Sequence, residues 1–210
     1  MTDTPVIRAI PDGFYCRDDK KNVYLIGDSM KRGTAPFIRR ELSDIAEVFF
    51  NDCNCGYTQN VIVSLHNWVE KIDDRKKIDL VQFNCGHWDV AHYNHSAEPL
   101  TSEAEYVRNL KMIVDQIRCF FPNAKVVFAT TCTMNPNGSD DPYGSRTNEI
   151  IDRYNALAVK AMTEYGVLIN DMNAIMRTYG SEDYIDYCHL NRDAFDRLGS
   201  AAAKNLRAFL

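Results

Sequence analysis

At 210 residues, 45% of them hydrophobic and 25% charged, the chain has the size and composition of one ordinary globular domain able to bury its own core. Its net charge of −5, with lysines and arginines scattered, argues against a nucleic-acid partner, because phosphate binding needs a concentrated basic surface. The seven cysteines form an odd set without paired Cys-x-x-Cys units, so neither a disulfide framework nor a four-thiolate zinc site is expected.

Residues 1–20 read as an N-terminal extension to a single domain spanning 1–210. Beyond it, short apolar, β-branched runs alternate with longer stretches of three- and four-residue apolar spacing, the pattern of a parallel sheet covered by helices on both faces. Strands are expected at 23–28, 46–50, 80–84, 126–130 and 167–170, and covering helices at 60–72, 104–121 and 148–165. The polar, turn-rich stretch 135–144 reads as a surface loop after the fourth strand. A last helix is expected from 193 to about 209, capped by Asn191 or Asp193, with Phe195, Leu198, Ala202, Leu206 and Leu210 on its apolar face. The fold class is therefore α/β: a three-layer α/β/α domain, flavodoxin-like, on a mainly parallel five-stranded sheet. In such sheets ligands bind outside the carboxyl ends of the strands, where Ser29, residues 84–89 and the 135–144 loop all fall.

No run approaches the roughly 18 apolar residues of a membrane span, and the opening Met1-Thr2-Asp3-Thr4-Pro5 leads into no apolar signal region. A cytoplasmic location with reduced thiols and no membrane association is expected.

Four segments carry chemistry. Gly27-Asp28-Ser29 puts a serine at a strand-to-helix turn, where it is either a nucleophile or, with Asp28, a helix cap. In Asp186-Tyr187-Cys188-His189 the carboxylate stands three residues before the imidazole, close enough to accept its Nδ1 proton and leave Nε2 to take one from a serine. The alternative is a surface Asp beside a partly buried His. Asn54-Cys55-Gly56 and Asn84-Cys85-Gly86-His87-Trp88-Asp89 offer glycine amides and asparagine side chains suited to an oxyanion, though each glycine alone also suits a plain turn.

In this order, each at an expected strand end, the four segments resemble the SGNH, or GDSL, hydrolase family over most of the chain. Its first block matches Gly27-Asp28-Ser29, its second Gly56, and its last Asp186 and His189. The stretch 148–155 and Asp171 resemble the family after the fourth and fifth strands. In the third block the family's Gly-x-Asn-Asp becomes Gly86-His87-Trp88-Asp89, with Trp88 in the asparagine's place. Asn84, two residues before the glycine, matches branches that carry the donor there, with His87 as its substitute.

The resemblance implies a serine esterase without metal or cofactor. Ser29 attacks, His189 is the base, Asp186 orients it, and Ser29 N–H, Gly56 N–H and Asn84 hold the oxyanion. The substrate expected is a small-molecule or carbohydrate ester, foremost an O-acetyl ester, since no apolar lid is evident. A lipase or acyl-thioesterase, or a non-catalytic binding module, is the alternative. Three further readings compete less well. His87, Asp89, His92 and His95 lack the spacing of a helical two-His metal site. Cys85 or Cys188 as nucleophile competes with a serine already at the expected turn. Lys31-Arg32 as a phosphate cradle lacks the glycines. Trp88 and Tyr93 suit either a sugar-stacking surface or core packing.

Overall fold

The computed structural model describes residues 13–137 and 144–210, and its three inner strands are buried on both faces. Strands β1 (Lys21–Ile26), β2 (Ala46–Phe50), β3 (Leu80–Phe83), β4 (Lys125–Ala129) and β5 (Leu168–Asn170) form one parallel sheet in the order β2-β1-β3-β4-β5. Val23 pairs with Val48 and Leu80, and Phe83 with Phe128, so the expected apolar runs lie in register across the sheet. Alternation then sorts the side chains, because successive strand residues point to opposite faces. Val23 and Leu25 of β1 enter one core, Tyr24 and Ile26 the other.

The first core is closed by helices α1 (Ser29–Glu41) and α6 (Arg192–Phe209), with the short α5 (Met172–Met176) beside them. The second lies under α2 (Thr58–Val69), α3 (Glu103–Phe120) and α4 (Asn148–Glu164). The helix ends follow local capping chemistry. Ser102 and Glu105 form a reciprocal capping box on α3, Thr147 caps α4, and Asn191 caps α6 by accepting from Ala194 N–H.

Several expectations shift: α2 spans Thr58–Val69 where 60–72 is expected, and the ends of β3, β4, β5, α3, α4 and α6 move by about one residue. β1 begins two residues early, because Lys21 and Asn22 pair with β2 although they are polar, and it ends at Ile26 before Gly27 and Asp28 turn off the ladder. On α6 the buried face includes Ala194, Gly199 and Ala203, while Phe195 and Leu210 are only partly covered. Within the expected extension, Phe14 packs into the core against Tyr24 and Phe49, its N–H bonded to Lys71 O at 2.8 Å. Residues 1–12 of that extension, and 138–143 of the expected 135–144 loop, lie outside the described residues. Among the described residues no helix is long and apolar enough to cross a membrane, and all seven cysteines are free.

Candidate active site

Ser29 opens α1 at the carboxyl end of β1. The chain can turn there because residue 27 has no side chain: a Cβ at Gly27 would lie 1.9 Å from Asn84 Oδ1. Asp28, and not Ser29, is the cap; its Oδ1 accepts from Met30 N–H at 2.9 Å and from Asn84 Nδ2 at 2.8 Å. Burial raises the Asp28 carboxyl above its usual range against these two hydrogen bonds. The Ser29 hydroxyl is thereby left for other work.

Its partner is His189, whose Nε2 stands 2.8 Å from Ser29 Oγ. The other ring nitrogen, Nδ1, meets Asp186 Oδ2 at 2.7 Å. Asp186 Oδ1 in turn accepts from the backbone N–H groups of Cys188 at 2.8 Å and His189 at 2.7 Å, so the carboxylate and the imidazole form one tight loop. Partial burial raises the Asp186 carboxyl, but those two N–H donors and the imidazole outweigh it and hold the group below the ordinary carboxylate range. Bonds from Asn135 N–H to Tyr187 O at 2.9 Å and from Ile185 N–H to His189 O at 2.9 Å fix the segment beside the sheet edge. Two segments 160 residues apart in sequence thus meet at hydrogen-bond distance.

Ser29 and His189 open into a cleft of about 300 Å³ whose other lining residues are Asn54, His87, Trp88, Tyr93, Arg146, Tyr187 and Cys188. The expected oxyanion residues separate here. Trp88, 38% exposed, lies on the cleft wall against Gly56. Neither Gly56 nor Asn84 is among the lining residues. The Gly56 N–H is given to Asn54 Oδ1 at 3.0 Å, and Asn84, with its amide on Asp28, ties the end of β3 to the cap of α1. His87 borders the cleft, but both ring nitrogens are enclosed and have no hydrogen-bond partner among the described residues. Burial foremost, then the charges of Arg146 and His189, push its pKa down to about 3, so the ring is neutral at ordinary pH.

The model of the GDSL-like Lipase/Acylhydrolase family matches residues 25–197. The chain belongs to that family. It is accordingly a serine ester hydrolase of the GDSL type, and its substrates are small-molecule esters. No curated protein sequence matches this acylhydrolase. Solved structures with the same fold include a carbohydrate acetylesterase from Sinorhizobium meliloti, 16% identical, with a TM-score of 0.67 over 91% of this chain and 100% of that one. A lipase/acylhydrolase from Enterococcus faecalis is 16% identical with a TM-score of 0.68 over 90% and 97% of the two chains. A carbohydrate esterase family 3 protein from Talaromyces cellulolyticus is 14% identical with a TM-score of 0.67 over 90% and 97%.

The competing sequence readings of the acylhydrolase meet specific geometry. Lys31 is buried, and its ammonium is bonded to Asn51 O, to Asn51 Oδ1 at 3.2 Å and to Cys53 O at 3.1 Å, which leaves it no phosphate to cradle. The His87, Asp89, His92 and His95 side chains do not converge. Asp89 is buried against Thr58, accepting from its N–H at 3.1 Å and its Oγ1 at 2.6 Å, and His92 Nδ1 faces Ser96 O at 3.1 Å. Among the described residues the one group with ligand atoms within 4.8 Å of one another is Asp186, Cys188 and His189, where Asp186 and His189 already bind each other. Cys85 is buried with its thiol pushed up by desolvation, and Cys188 Sγ lies 3.7 Å from Nδ1, not from the Nε2 that serves Ser29. The sequence reading did not single out Arg146 or Tyr187, whose guanidinium and ring stack at 5.7 Å on the cleft wall. Nothing in the local sequence marks Arg146, and Tyr187 stands in the Asp186–His189 segment only as a spacer.

Proposed function

We propose that this esterase is an O-acetylesterase for an acetylated carbohydrate or another small ester, working through Ser29, His189 and Asp186. The observation that carries the proposal is the unbroken chain of contacts from Ser29 Oγ to His189 Nε2 at 2.8 Å and from Nδ1 to Asp186 Oδ2 at 2.7 Å. Asp186 fixes the tautomer with the proton on Nδ1, so Nε2 carries the lone pair that takes the serine proton as Oγ attacks the ester carbonyl. The imidazolium formed is stabilised by the ionised Asp186. It then protonates the leaving alcohol, and water repeats the sequence on the acyl-enzyme. The developing oxyanion lies at the N-terminus of α1, whose first N–H groups have no acceptor within the helix and whose dipole favours negative charge.

The acetyl preference rests on the cleft. About 300 Å³ is the lower end of small-ligand sites, and the Trp88, Tyr93 and Tyr187 rings are suited to stacking on a sugar face. The carbohydrate acetylesterase and carbohydrate esterase among the structural neighbours support the same choice. A serine-directed fluorophosphonate is expected to label Ser29, with labelling abolished in Ser29→Ala. Among p-nitrophenyl esters, the acetate should turn over at least about tenfold faster than the octanoate, an energy gap of about 1.4 kcal/mol. Faster octanoate turnover would replace the acetylesterase by a lipase or thioesterase.

A further inference from the structure

The Ser29 mechanism requires donors at the carbonyl oxygen, and of the three that the sequence offers, Ser29 N–H, Gly56 N–H and Asn84, the last two are engaged elsewhere. Gly56 N–H is held by Asn54 Oδ1, and Asn84 Nδ2 donates to Asp28 outside the cleft lining. Asn54 itself is exposed, lines the cleft together with Ser29 and His189, and makes no hydrogen bond through Nδ2 among the described residues. We propose that the side-chain amide of Asn54 is an oxyanion donor of this site, in the role expected of Gly56 and Asn84; the assignment rests on the Ser29 esterase reading.

A donor stabilises a transition state only if it is aimed in advance, because reorienting it during the reaction would cost what it contributes. Asn54 is held from three sides. Its own oxygen, by accepting from Gly56 N–H at 3.0 Å, fixes the amide plane without using an Nδ2 hydrogen. On its N-terminal side, Cys53 O accepts from Lys31 Nζ at 3.1 Å; on its C-terminal side, Cys55 N–H donates to Gly27 O at 3.1 Å. Gly27 and Lys31 flank Ser29 by two residues each, so the main chain on both sides of Asn54 is bolted to the segment that carries the nucleophile. Lys31 is 4% exposed, and its burial lowers its pKa, yet it stays because three oxygens of the 51–53 turn satisfy it.

In the addition step, Ser29 Oγ bonds to the carbonyl carbon, its proton passes to His189 Nε2, and the carbonyl π pair moves onto oxygen. Asn54 donates a hydrogen bond to that oxygen and transfers no proton. When the pair returns, the carbon–alkoxy bond breaks and His189 protonates the alcohol.

The test separates donation from turn structure with two variants. Asn54→Ala loses both functions of the amide, whereas Asn54→Asp keeps an oxygen for Gly56 N–H and removes the donor. On p-nitrophenyl acetate both are expected to lose about 10²- to 10³-fold in kcat with KM within about threefold of the parent. Rate constants for fluorophosphonate labelling of Ser29 should fall in parallel. An Asn54→Asp enzyme with kcat within about threefold of the parent would overturn the proposal, since the side chain would then serve only the turn. A loss confined to KM would overturn it equally. If the parent protein itself neither hydrolyses esters nor labels at Ser29, the underlying esterase reading fails instead, a result distinct from both.

Discussion

Asp186 uses its two oxygens for different tasks, one on the imidazole and one on two backbone amides. The second task gives the first its direction, because the backbone contacts leave the carboxylate little freedom to rotate. In Asp186→Asn the oxygen best serves the two backbone N–H donors, which turns the amide NH₂ toward His189 Nδ1. Nδ1 must then accept, the proton moves to Nε2, and the lone pair that Ser29 needs is gone. We expect kcat to fall about 10³- to 10⁴-fold with a urea midpoint close to the parent's, because the local hydrogen bonds survive in number. Full activity in this variant would remove Asp186 from the mechanism. The contact among Ser29, His189 and Asp186, the proposed catalytic set, could be anticipated from the sequence because each pairing of residue type and spacing is local: a serine at a turn, a carboxylate one turn before an imidazole. The donor could not. Asn54, Gly56 and Asn84 look alike as candidate donors, and only tertiary contacts separate them: Asn84 donates to Asp28, and the residues on either side of Asn54 bond to Lys31 and Gly27.

At the level of elements, the Ser29–His189 contact depends on how α1 lies against α6, since Ser29 begins one and His189 shortly precedes the other. These helices approach closely at Gly199: a Cβ there would meet Phe37 Cβ at 2.6 Å and Thr34 O at 3.0 Å. The Thr34 contact is backbone, so α6 must move. Gly199→Ala should therefore cost about 1–3 kcal/mol despite alanine's better helix propensity, and it should lower kcat by spreading Ser29 from His189. Equilibrium urea unfolding and p-nitrophenyl acetate kinetics on one preparation test this; a stabilised, fully active variant would show that the helices slip without consequence. The inner strands β1, β3 and β4 were readable because their apolar residues are covered on both sides and leave continuous runs. The five-residue α5 was not, because a single turn carries no periodicity; Asp171 caps it by accepting from Ala174 N–H at 3.1 Å, and Thr130 Oγ1 bonds to Asp171 at 2.8 Å. The place of Phe14 in the core was hidden for a related reason, since one aromatic in a polar segment forms no pattern.

Across the whole molecule, His87 couples stability to pH. In the folded protein its pKa is about 3, against an unperturbed value near 6.5 in the unfolded chain. Between those values the unfolded state binds the extra proton and the native state does not, so stability rises with pH and falls as the solution is acidified. The slope is about 1.4 kcal/mol per pH unit, which from pH 6.5 to 4.5 amounts to roughly 2–3 kcal/mol. Asp28 and Asp89 act in the opposite sense. Burial raises both carboxyls, so on acidification the native state takes up their protons first and part of the loss is offset. Replacing the ring isolates its share: His87→Leu keeps an apolar side chain in that place and removes the titration. Between pH 6.5 and 4.5 the urea midpoint of the parent should fall further than that of the variant, which has no group at this position to take up a proton on unfolding. Equal falls in both proteins would mean that His87 is protonated in the folded state well above pH 3. The same neutral ring bears on the cleft: with His87 uncharged, it adds no positive charge beside His189 as the base accepts its proton.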